Sequence, residues 1–556
     1  MDIRRQPSLK KLTFLTLFTL ISAQFIAPNS FASGESFAGQ YPPGPNGYVS
    51  FNAIPTFMNN FTNPALIGKT VGSDGLLKSV ASCKSMSDSA CATGNYIQAY
   101  ALFDLCVKGN ETDCIESISA SKADGTILEV KPVGKFPGPK QQDYSGSSSM
   151  GLPPGGQTTL VEIPGAPHAG GITYLAVVNP WGYLDRRSDS GNSEFKMDLR
   201  VALYAVKIKS GSYRVSLNGT SVSDYPGSRA LWNVNGGGDP NGSCLINDSS
   251  SCAEAMEIPE DLRLGIKIRI SYQVKNWFGG RLANPDISVS SGNGSQSIIE
   301  VSAFPVKVAA VYESIPIGNV PQSLFDFYQD RAKASPGAYE VPELVKFRDN
   351  PQGNYSVYTS IGQSQFNMDT FSKWLPLVED KADALPTLWN FSSITSESQW
   401  NDCLKDSKSL AGFVLSNATQ YIDGPPTYNA KDNTLDYKVA APHFTPEGEV
   451  FKGSYDLVMS SKVARCFYNF TNAPIGASVS VQTDKGVQNV ATTVVNEKNG
   501  LLYITAKNFT YSSPTLKIKL TQKKNQKYTI TCKKGNVSKP VTGTAPKCPK
   551  GFKKVA

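Results

Sequence analysis

The stretch LGIKIRISYQV, residues 264–274, decides the fold. Apolar or aromatic residues occupy every second position from Leu264 to Val274, and glycine, lysine, arginine, serine and glutamine fill the positions between them. Side chains of a β-strand point alternately to its two faces, so this alternation places one face in a core and leaves the other in water. We therefore predict a half-buried strand of an antiparallel sheet.

Similar alternation recurs on both sides of this stretch. Between about 157 and 320 it occurs at 172–178, 201–209, 213–217 and 298–312. Between about 413 and 522 it occurs at 477–481, 490–495, 501–506 and 516–520. The turns between these runs are rich in Asn, Asp and Gly, and Asn499-Gly500 is a pair favoured in type I′ hairpins. The pattern predicts a mainly β protein with two antiparallel β-sandwich (Ig-like) domains.

Changes in composition divide the chain into segments. Pro/Gly-rich linkers at 42–47 and 136–156 delimit a loop-rich region with four cysteines. Helical spacing at 323–333 and 368–384, and a capping-box pattern at Ser396-x-x-Gln399, predict a small helical insert. The predicted segments are a signal peptide (1–32), a disulfide-stapled loop-rich N-terminal region (33–155), a β-sandwich (156–320), the helical insert (321–412), an Ig-like β domain (413–522) and a basic tail (523–556).

The first residues have the layout of a secretory signal peptide. Four basic residues precede an uncharged run from Leu12 to Ala27, and Ser30-Phe31-Ala32 supplies small residues for cleavage after Ala32. A retained membrane anchor is the alternative, but the run has only sixteen residues and includes Thr, Ser and Gln. A spanning helix needs about 20 mostly apolar residues. We expect a secreted or cell-surface protein that does not span a membrane after cleavage.

Eight of the ten cysteines fall into local couples, three of which share the spacing C-x7-C, and Cys403 and Cys466 remain. Zinc sites typically have a C-x2–4-C spacing, often with histidine as a further ligand, and this spacing does not occur in the sequence. We expect disulfides, which persist in oxidising compartments. The predicted pairs are Cys83/Cys91, Cys106/Cys114, Cys244/Cys252, Cys403/Cys466 and Cys532/Cys548, and a nested pairing among the first four cysteines is left open.

The sequence is poor in residues that catalytic sites use. It has two histidines, His168 and His443, and with every cysteine expected in a disulfide no thiolate nucleophile is left. It contains no G-x-S-x-G, P-loop or H-E-x-x-H motif. We therefore expect a non-enzymatic structural or binding protein. A secreted glycoside hydrolase is the enzymatic alternative, because its two carboxylates, about 5 to 10 Å apart, leave no motif in one sequence.

Two acidic stretches have the spacing of oxygen ligands for calcium. They are Asp185, Asp189, Ser190, Asn192 and Glu194, and Asn233, Asn235, Asp239 and Asn241. Neither stretch matches the EF-hand pattern, and ordinary polar turns are the preferred interpretation. Calcium is the one cofactor that the sequence suggests.

Several aromatic residues lie in or beside Gly-rich stretches, where their rings could stack on sugars. They are Trp181, Tyr183, Trp232, Trp277 and Phe278. Burial in a sandwich core is the preferred interpretation of these residues. A carbohydrate-binding or adhesion module is the alternative that they support.

The positive charge of the chain is concentrated at its C-terminal end. The net charge is +8, but residues 523–556 contain ten lysines and no acidic residue, so the body is mildly acidic. A compact basic patch attracts polyanions in a salt-sensitive way, while a merely solubilising tail is the alternative. We expect an anionic envelope polymer or glycan as partner, and no nucleic acid. The candidate polyanion-binding residues are Lys523, Lys524, Lys527, Lys533, Lys534, Lys539, Lys547 and Lys550.

The tail also carries a resemblance to known proteins. TITCKKG (529–535) and KPVTGTAPKCPKGFKK (539–554) resemble a short C-terminal segment of exported surface proteins of small aquatic actinobacteria. GSYDLVM (453–459), ARCFYNFTNAP (464–474) and SSPTLKIKLTQ (512–522) resemble what precedes that segment in those proteins. The resemblance covers roughly 400–556. It implies an extracytoplasmic compartment and β architecture, and no activity or catalytic residues.

Overall fold

The structure is a computed structural model that describes part of the chain. The described residues are 46–53, 64–109, 111–136, 144–187, 193–212, 244–247, 250–272, 276–291, 296–334, 341–353, 355–358, 365–394, 403, 410–422, 424–483, 486–489, 492–511, 515–522, 528–543 and 546–555. The predicted signal peptide, the strand at 213–217 and the capping box at 396–399 lie outside them. The described chain is mainly β, with several antiparallel sheets, as the alternation predicts.

The elements of the first half are almost all strands. The strands are β1 Tyr48–Ala53, β2 Ala65–Val71, β3 Leu77–Cys83, β4 Tyr96–Tyr100, β5 Cys114–Lys122, β6 Ile127–Leu128, β7 Lys131–Phe136, β8 Thr158–Glu162, β9 Thr173–Asp185, β10 Lys196–Ser210, β11 Cys244–Asn247, β12 Ser251–Met256, β13 Leu262–Ile270, β14 Asn276–Arg281, β15 Ala283–Ser291, β16 Ser297–Phe304, β17 Val306–Lys307 and β18 Val311–Pro316. Helix α1 is Ser89–Thr93.

The second half combines strands with short helices. The helices are α2 Gln322–Ala334, α3 Val341–Asp349, α4 Gln365–Trp374 and α5 Ser461–Tyr468. The strands are β19 Tyr355–Tyr358, β20 Thr387–Leu388, β21 Asn390–Ile394, β22 Leu410–Ser416, β23 Gln420–Tyr421, β24 Thr427–Asn429, β25 Thr434–Ala440, β26 Lys452–Ser460, β27 Ile475–Thr483, β28 Gly486–Asn489, β29 Thr492–Lys498, β30 Leu501–Thr510, β31 Thr515–Gln522, β32 Tyr528–Lys534, β33 Val537–Gly543 and β34 Lys553–Val555.

Strand β13 confirms the prediction for residues 264–270, and it ends at Ile270, before the predicted end at Val274. Leu264, Ile266 and Ile268 are at most 2% exposed, and β13 pairs antiparallel with β5 on one side and β16 on the other. On the opposite face Lys267 and Arg269 each donate to Glu116, at 2.7 Å. One face of the strand therefore lies in a core and the other carries ion pairs.

One long sheet links distant parts of the sequence. Within the described residues it has fifteen strands, in the order β29-β30-β26-β22-β14-β21-β10-β9-β4-β2-β3, with β7, β8, β11 and β12 joined to its side. The sheet β15-β16-β13-β5-β6 shares one core cluster with β9 and β10, and the sheet built on β25, β27 and β31 shares another with β22, β26 and β30. Strand pairing thus crosses the boundaries that the sequence suggests at 155, 320 and 412.

The hairpin between β29 and β30 has the turn that its sequence predicts. Lys498 lies opposite Leu501, so Asn499 and Gly500 form a two-residue loop. Their φ angles are 54° and 76°, both in the left-handed region. A type I′ turn requires positive φ at both positions, which explains the Asn-Gly pair.

The segment predicted as a helical insert contains α2, α3 and α4 but also β19 to β21. The helix expected over 368–384 is shorter, because α4 ends at Trp374 and a 3-10 turn follows at Leu375–Val378. Pro376 lacks the N–H that a continuing helix would use, and Glu379 and Asp380 have positive φ. Trp374 is fully buried, stacks on Phe51 of β1 at 5.2 Å and thereby joins this segment to the sheet β18-β1-β19.

Four predicted disulfides are present. They are Cys83–Cys91, Cys106–Cys114, Cys403–Cys466 and Cys532–Cys548, so the nested pairing among the first four cysteines is wrong. Cys252 is also disulfide-bonded, while the side chain of Cys244 lies outside the described part of the chain, so this fifth pair stays a prediction. Among the helices of the described ranges, none is both long and apolar enough to cross a bilayer.

Candidate polyanion-binding site

The C-terminal residues form a small sheet of their own, which we call the tail module (528–543 and 546–555). β32 is the central strand and pairs antiparallel with β33 and β34. Lys534 lies opposite Val537, so Gly535 and Asn536 make a two-residue loop between β32 and β33. Gly535 has φ 57°, which a glycine at the first loop position adopts without strain.

A disulfide stabilises this module in place of an apolar core. Cys532 is fully buried, whereas Val537 and Val555 are 61% and 43% exposed. Within the described residues of the module, no other side chain reaches the buried class. The bond to Cys548 closes a loop of sequence separation 16, which in the chain-entropy picture stabilises the fold by about 3 kcal/mol.

The lysines of the module are exposed and have no acidic neighbours. Seven of the ten tail lysines are described, and all are exposed: Lys533, Lys534, Lys539, Lys547, Lys550, Lys553 and Lys554. The ion pairs formed between described residues lie outside the module, whose sequence has no acid. Lys517, just before the module, differs because it pairs with Asp432 at 2.7 Å. The charge of the module is therefore available to an external anion.

The structure tests only part of the predicted lysine set. Lys523, Lys524 and Lys527 lie outside the described residues. Lys553 and Lys554 were not among the candidates, although they stand on the third strand of the module. Their strand has three residues, all exposed, so alternation of apolar and polar residues gave no signal for it.

The first calcium candidate set is not assembled within the described residues. Both carboxylate oxygens of Asp185 accept hydrogen bonds from Arg187, at 2.8 and 2.6 Å, and this pairing lowers the pKa of Asp185. Glu194 is exposed, and Asp189, Ser190 and Asn192 lie outside the described ranges. The described residues hold no group of three or more His, Cys, Asp or Glu side chains that could bind a metal ion. The second set, at 233–241, is not described, and calcium stays a prediction.

Two of the aromatic candidates are core residues. Trp277 and Phe278 are 3% and 0% exposed, and Phe278 stacks on Phe413 at 4.9 Å, so neither ring can receive a sugar. Trp181 is half-buried beneath the guanidinium of Arg200. Tyr183 is also half-buried and stacks on another tyrosine, Tyr96, at 5.5 Å. Trp232 lies outside the described residues.

The two histidines have structural contacts. His168 lies in a turn, where its Nε2 is 2.9 Å from the carbonyl oxygen of Thr173 and its Nδ1 accepts from the N–H of Gly170. The ring of His443 contacts the carbonyl of Tyr511 through Nδ1. Both rings therefore have backbone partners.

A cleft of about 530 Å³ lies beside the Cys106–Cys114 disulfide, and the sequence did not single it out. Its acidic lining residues are Asp104, Glu111 and Asp113. Asp104 pairs with Lys135 at 2.7 Å, whereas Asp113 accepts from the N–H of Ser271 and burial raises its pKa. Two of the three carboxyl groups, those of Asp104 and Asp113, thus lie in different electrostatic environments. Only the position of Asp113 next to a cysteine could have drawn attention to it in the sequence.

Comparison of the chain with protein-family models, curated proteins and solved structures gives no match.

Proposed function

We propose that this protein is exported and is held at the cell envelope by its tail module, which binds an anionic polymer or glycan, and that it is not an enzyme. One observation carries the proposal: the module presents seven exposed lysines on a disulfide-stabilised sheet that contains no acid. The resemblance of the tail to segments of actinobacterial surface proteins agrees with it.

The spacing of the lysines makes them act together. Neighbouring strands lie about 4.8 Å apart, and the Debye length at physiological salt is about 8 Å. Lysines on β32, β33 and β34 are therefore only partly screened from one another, and their potentials add. A polymer with regularly repeated negative charges gains from several lysines at once, whereas a single small anion does not.

Export is supported by the cysteines. Four disulfides, spread from Cys83 to Cys548, are expected of a protein that folds and works in an oxidising compartment. The cleaved signal peptide is part of the same proposal. The two Ig-like sandwich domains also belong to this proposal. We interpret the sheet β15-β16-β13-β5-β6 and the sheet built on β25, β27 and β31 as their outer layers, because each packs on a different part of the long sheet.

The experiment compares retention on isolated envelopes of the source cell. The full-length chain should sediment with them at physiological salt and be released at high salt, and a chain ending at Gln522 should stay in the supernatant. A matched control replaces two body lysines, Lys207 and Lys438, by Gln and should leave retention unchanged. Sedimentation of the truncated chain at physiological salt would refute anchoring by the tail.

A second candidate function, glycoside hydrolysis, is favoured only by the cleft. Asp104, which pairs with Lys135, and Asp113, whose pKa is raised by burial, are the two carboxyl groups that such an enzyme would use as base and acid. The test measures reducing-sugar release from envelope glycans by the full chain and by Asp113→Asn. Equal, background-level release from both proteins removes this candidate.

A further inference from the structure

We infer that one face of the tail module binds the polymer, and that this face recognises tetrahedral oxyanions, as in phosphate or sulfate esters, in preference to carboxylates. The inference rests on the proposed polyanion binding and adds to it a surface and a ligand chemistry. We use the name hydroxyl–lysine face for the six polar residues of this surface, Thr529, Thr531, Lys533, Ser538, Thr542 and Lys553. Pro540 and Val555 lie among them, both opposite Thr531.

Strand register places these residues on one side of the module. Lys533 lies directly opposite Ser538 on β33 and directly opposite Lys553 on β34. Residues directly opposite each other in antiparallel strands share a face, with Cβ atoms about 4.5 to 5.5 Å apart. Thr531 and Thr529, at two-residue steps from Lys533, lie on the same side. All six residues of the face are exposed.

The opposition of Lys533 and Lys553 is unfavourable unless an anion lies between them. Like charges directly across a strand pair repel, and no described acid pairs with either ammonium group. An oxyanion between the two ammonium groups replaces this repulsion with two attractions. The pair is therefore suited to a ligand that carries concentrated negative charge.

The neighbouring hydroxyls favour a tetrahedral anion. Ser538 continues the row Ser538–Lys533–Lys553, and Thr529 and Thr542 already form a hydrogen bond of 2.8 Å with each other. A phosphate or sulfate group spreads its oxygens in three dimensions, so it can accept from two ammonium groups and a hydroxyl at once. Planar carboxylates match the flat fork of arginine best, and the tail contains no arginine.

The opposite face of the module provides a built-in control. Lys539 and Lys554 both lie opposite Cys532, on the two outer strands, so roughly 10 Å of sheet separates their backbones. They share that face with the exposed Lys534, with Ile530 and Val541, which are half-buried, and with the fully buried Cys532. Lys534 lies opposite Val537, so no two lysines of this face lie directly opposite each other. This face is therefore less suited to holding one oxyanion between two ammonium groups.

The experiment compares two double variants of the full-length chain that lose the same charge. Lys533→Gln/Lys553→Gln alters the hydroxyl–lysine face, and Lys539→Gln/Lys554→Gln alters the opposite face. Binding to polyglycerol phosphate, dextran sulfate and polygalacturonate is measured by calorimetry at one salt concentration. Amide exchange of β32 establishes that both variants keep the sheet.

We expect Lys533→Gln/Lys553→Gln to weaken binding to the phosphate and sulfate polymers about tenfold, and the opposite pair to weaken it about threefold or less. Both variants should lose equally little affinity for the carboxylate polymer. A large loss with the phosphate polymer alone would identify phosphodiesters as the source of the oxyanion, and one with dextran sulfate alone would identify sulfated glycans.

Two further outcomes separate the inference from the proposed function. Equal losses for the two double variants on every polymer would overturn the hydroxyl–lysine face and leave polyanion binding by the module intact. Failure of the unaltered chain to bind any of the three polymers would overturn the proposed function, and the inference with it.

Discussion

Removal of the Cys532–Cys548 disulfide should unfold the tail module and leave the body folded. The bond closes a loop of sequence separation 16, so its loss costs about 3 kcal/mol, roughly two powers of ten in the folding equilibrium of the module. Little else can compensate, because Cys532 is the buried residue of the described sheet and an isolated small sheet is marginal in water.

Native-state hydrogen exchange of the double variant Cys532→Ser/Cys548→Ser measures this effect residue by residue. The amides of Thr531 and Lys533 should exchange at nearly unfolded rates, while those of β13 keep their protection. Replacing Cys83 and Cys91 by Ser removes a disulfide from the body instead, and should leave the tail amides unchanged. Unaltered protection of Thr531 and Lys533 in the first variant would refute the view that the disulfide stabilises the module.

Two other predictions concern the body. Desolvation of its carboxyl group by the surrounding residues, with the nearby charge of Glu313, raises the pKa of Asp383 to about 6. Its protonated form therefore stabilises the fold below its usual pKa, and this stabilisation is lost as the pH rises through 6. Carboxyl NMR should find its midpoint near 6, and Asp383→Asn should flatten the stability profile between pH 4 and 7, whereas a midpoint near 4 would contradict the assignment. Ile266→Ala, at a 2% exposed position, should cost about 2 to 5 kcal/mol in chemical denaturation. Lys267→Ala, on the other face of β13, should cost less than about 1 kcal/mol, and equal costs would mean that β13 has no buried face.

Local patterns of the sequence predicted the local parts of the fold. Alternation across 264–270 identified the buried face of β13, and Asn499-Gly500 identified a type I′ turn. Four of the five predicted cysteine couples are confirmed. The local couples could be predicted because a short loop rich in turn-forming residues brings its own ends together. Cys403 and Cys466 could be paired because they remained after the local couples.

Long-range pairing could not be predicted in this way. β14 pairs in parallel with β22 and antiparallel with β21, more than a hundred residues away, and its sequence NWFGGR has two glycines and no alternation. In the same way, the cleft combines residues near 104–114, 132–135 and 154–159, which no local pattern connects.

The sequence predicted which residues belong to the candidate site, but not how they are arranged in space. Lysine content and the cysteine couple pointed to the tail, since both are visible without a fold. The opposition of Lys533 and Lys553 depends on β34, which has three exposed residues and therefore no periodic signal. The distinction between two faces of the module requires the register of all three strands.

The salt dependence of polymer binding tests the central claim most directly. The full-length chain and the chain ending at Gln522 are titrated with polyglycerol phosphate between 50 and 200 mM salt. The full-length chain should bind, and the logarithm of its affinity should fall linearly with the logarithm of the salt concentration, by about tenfold or more over this range. The shortened chain should not bind. Equal affinity of the two chains, or affinity that does not change with salt, would contradict anchoring by the lysines of the tail module.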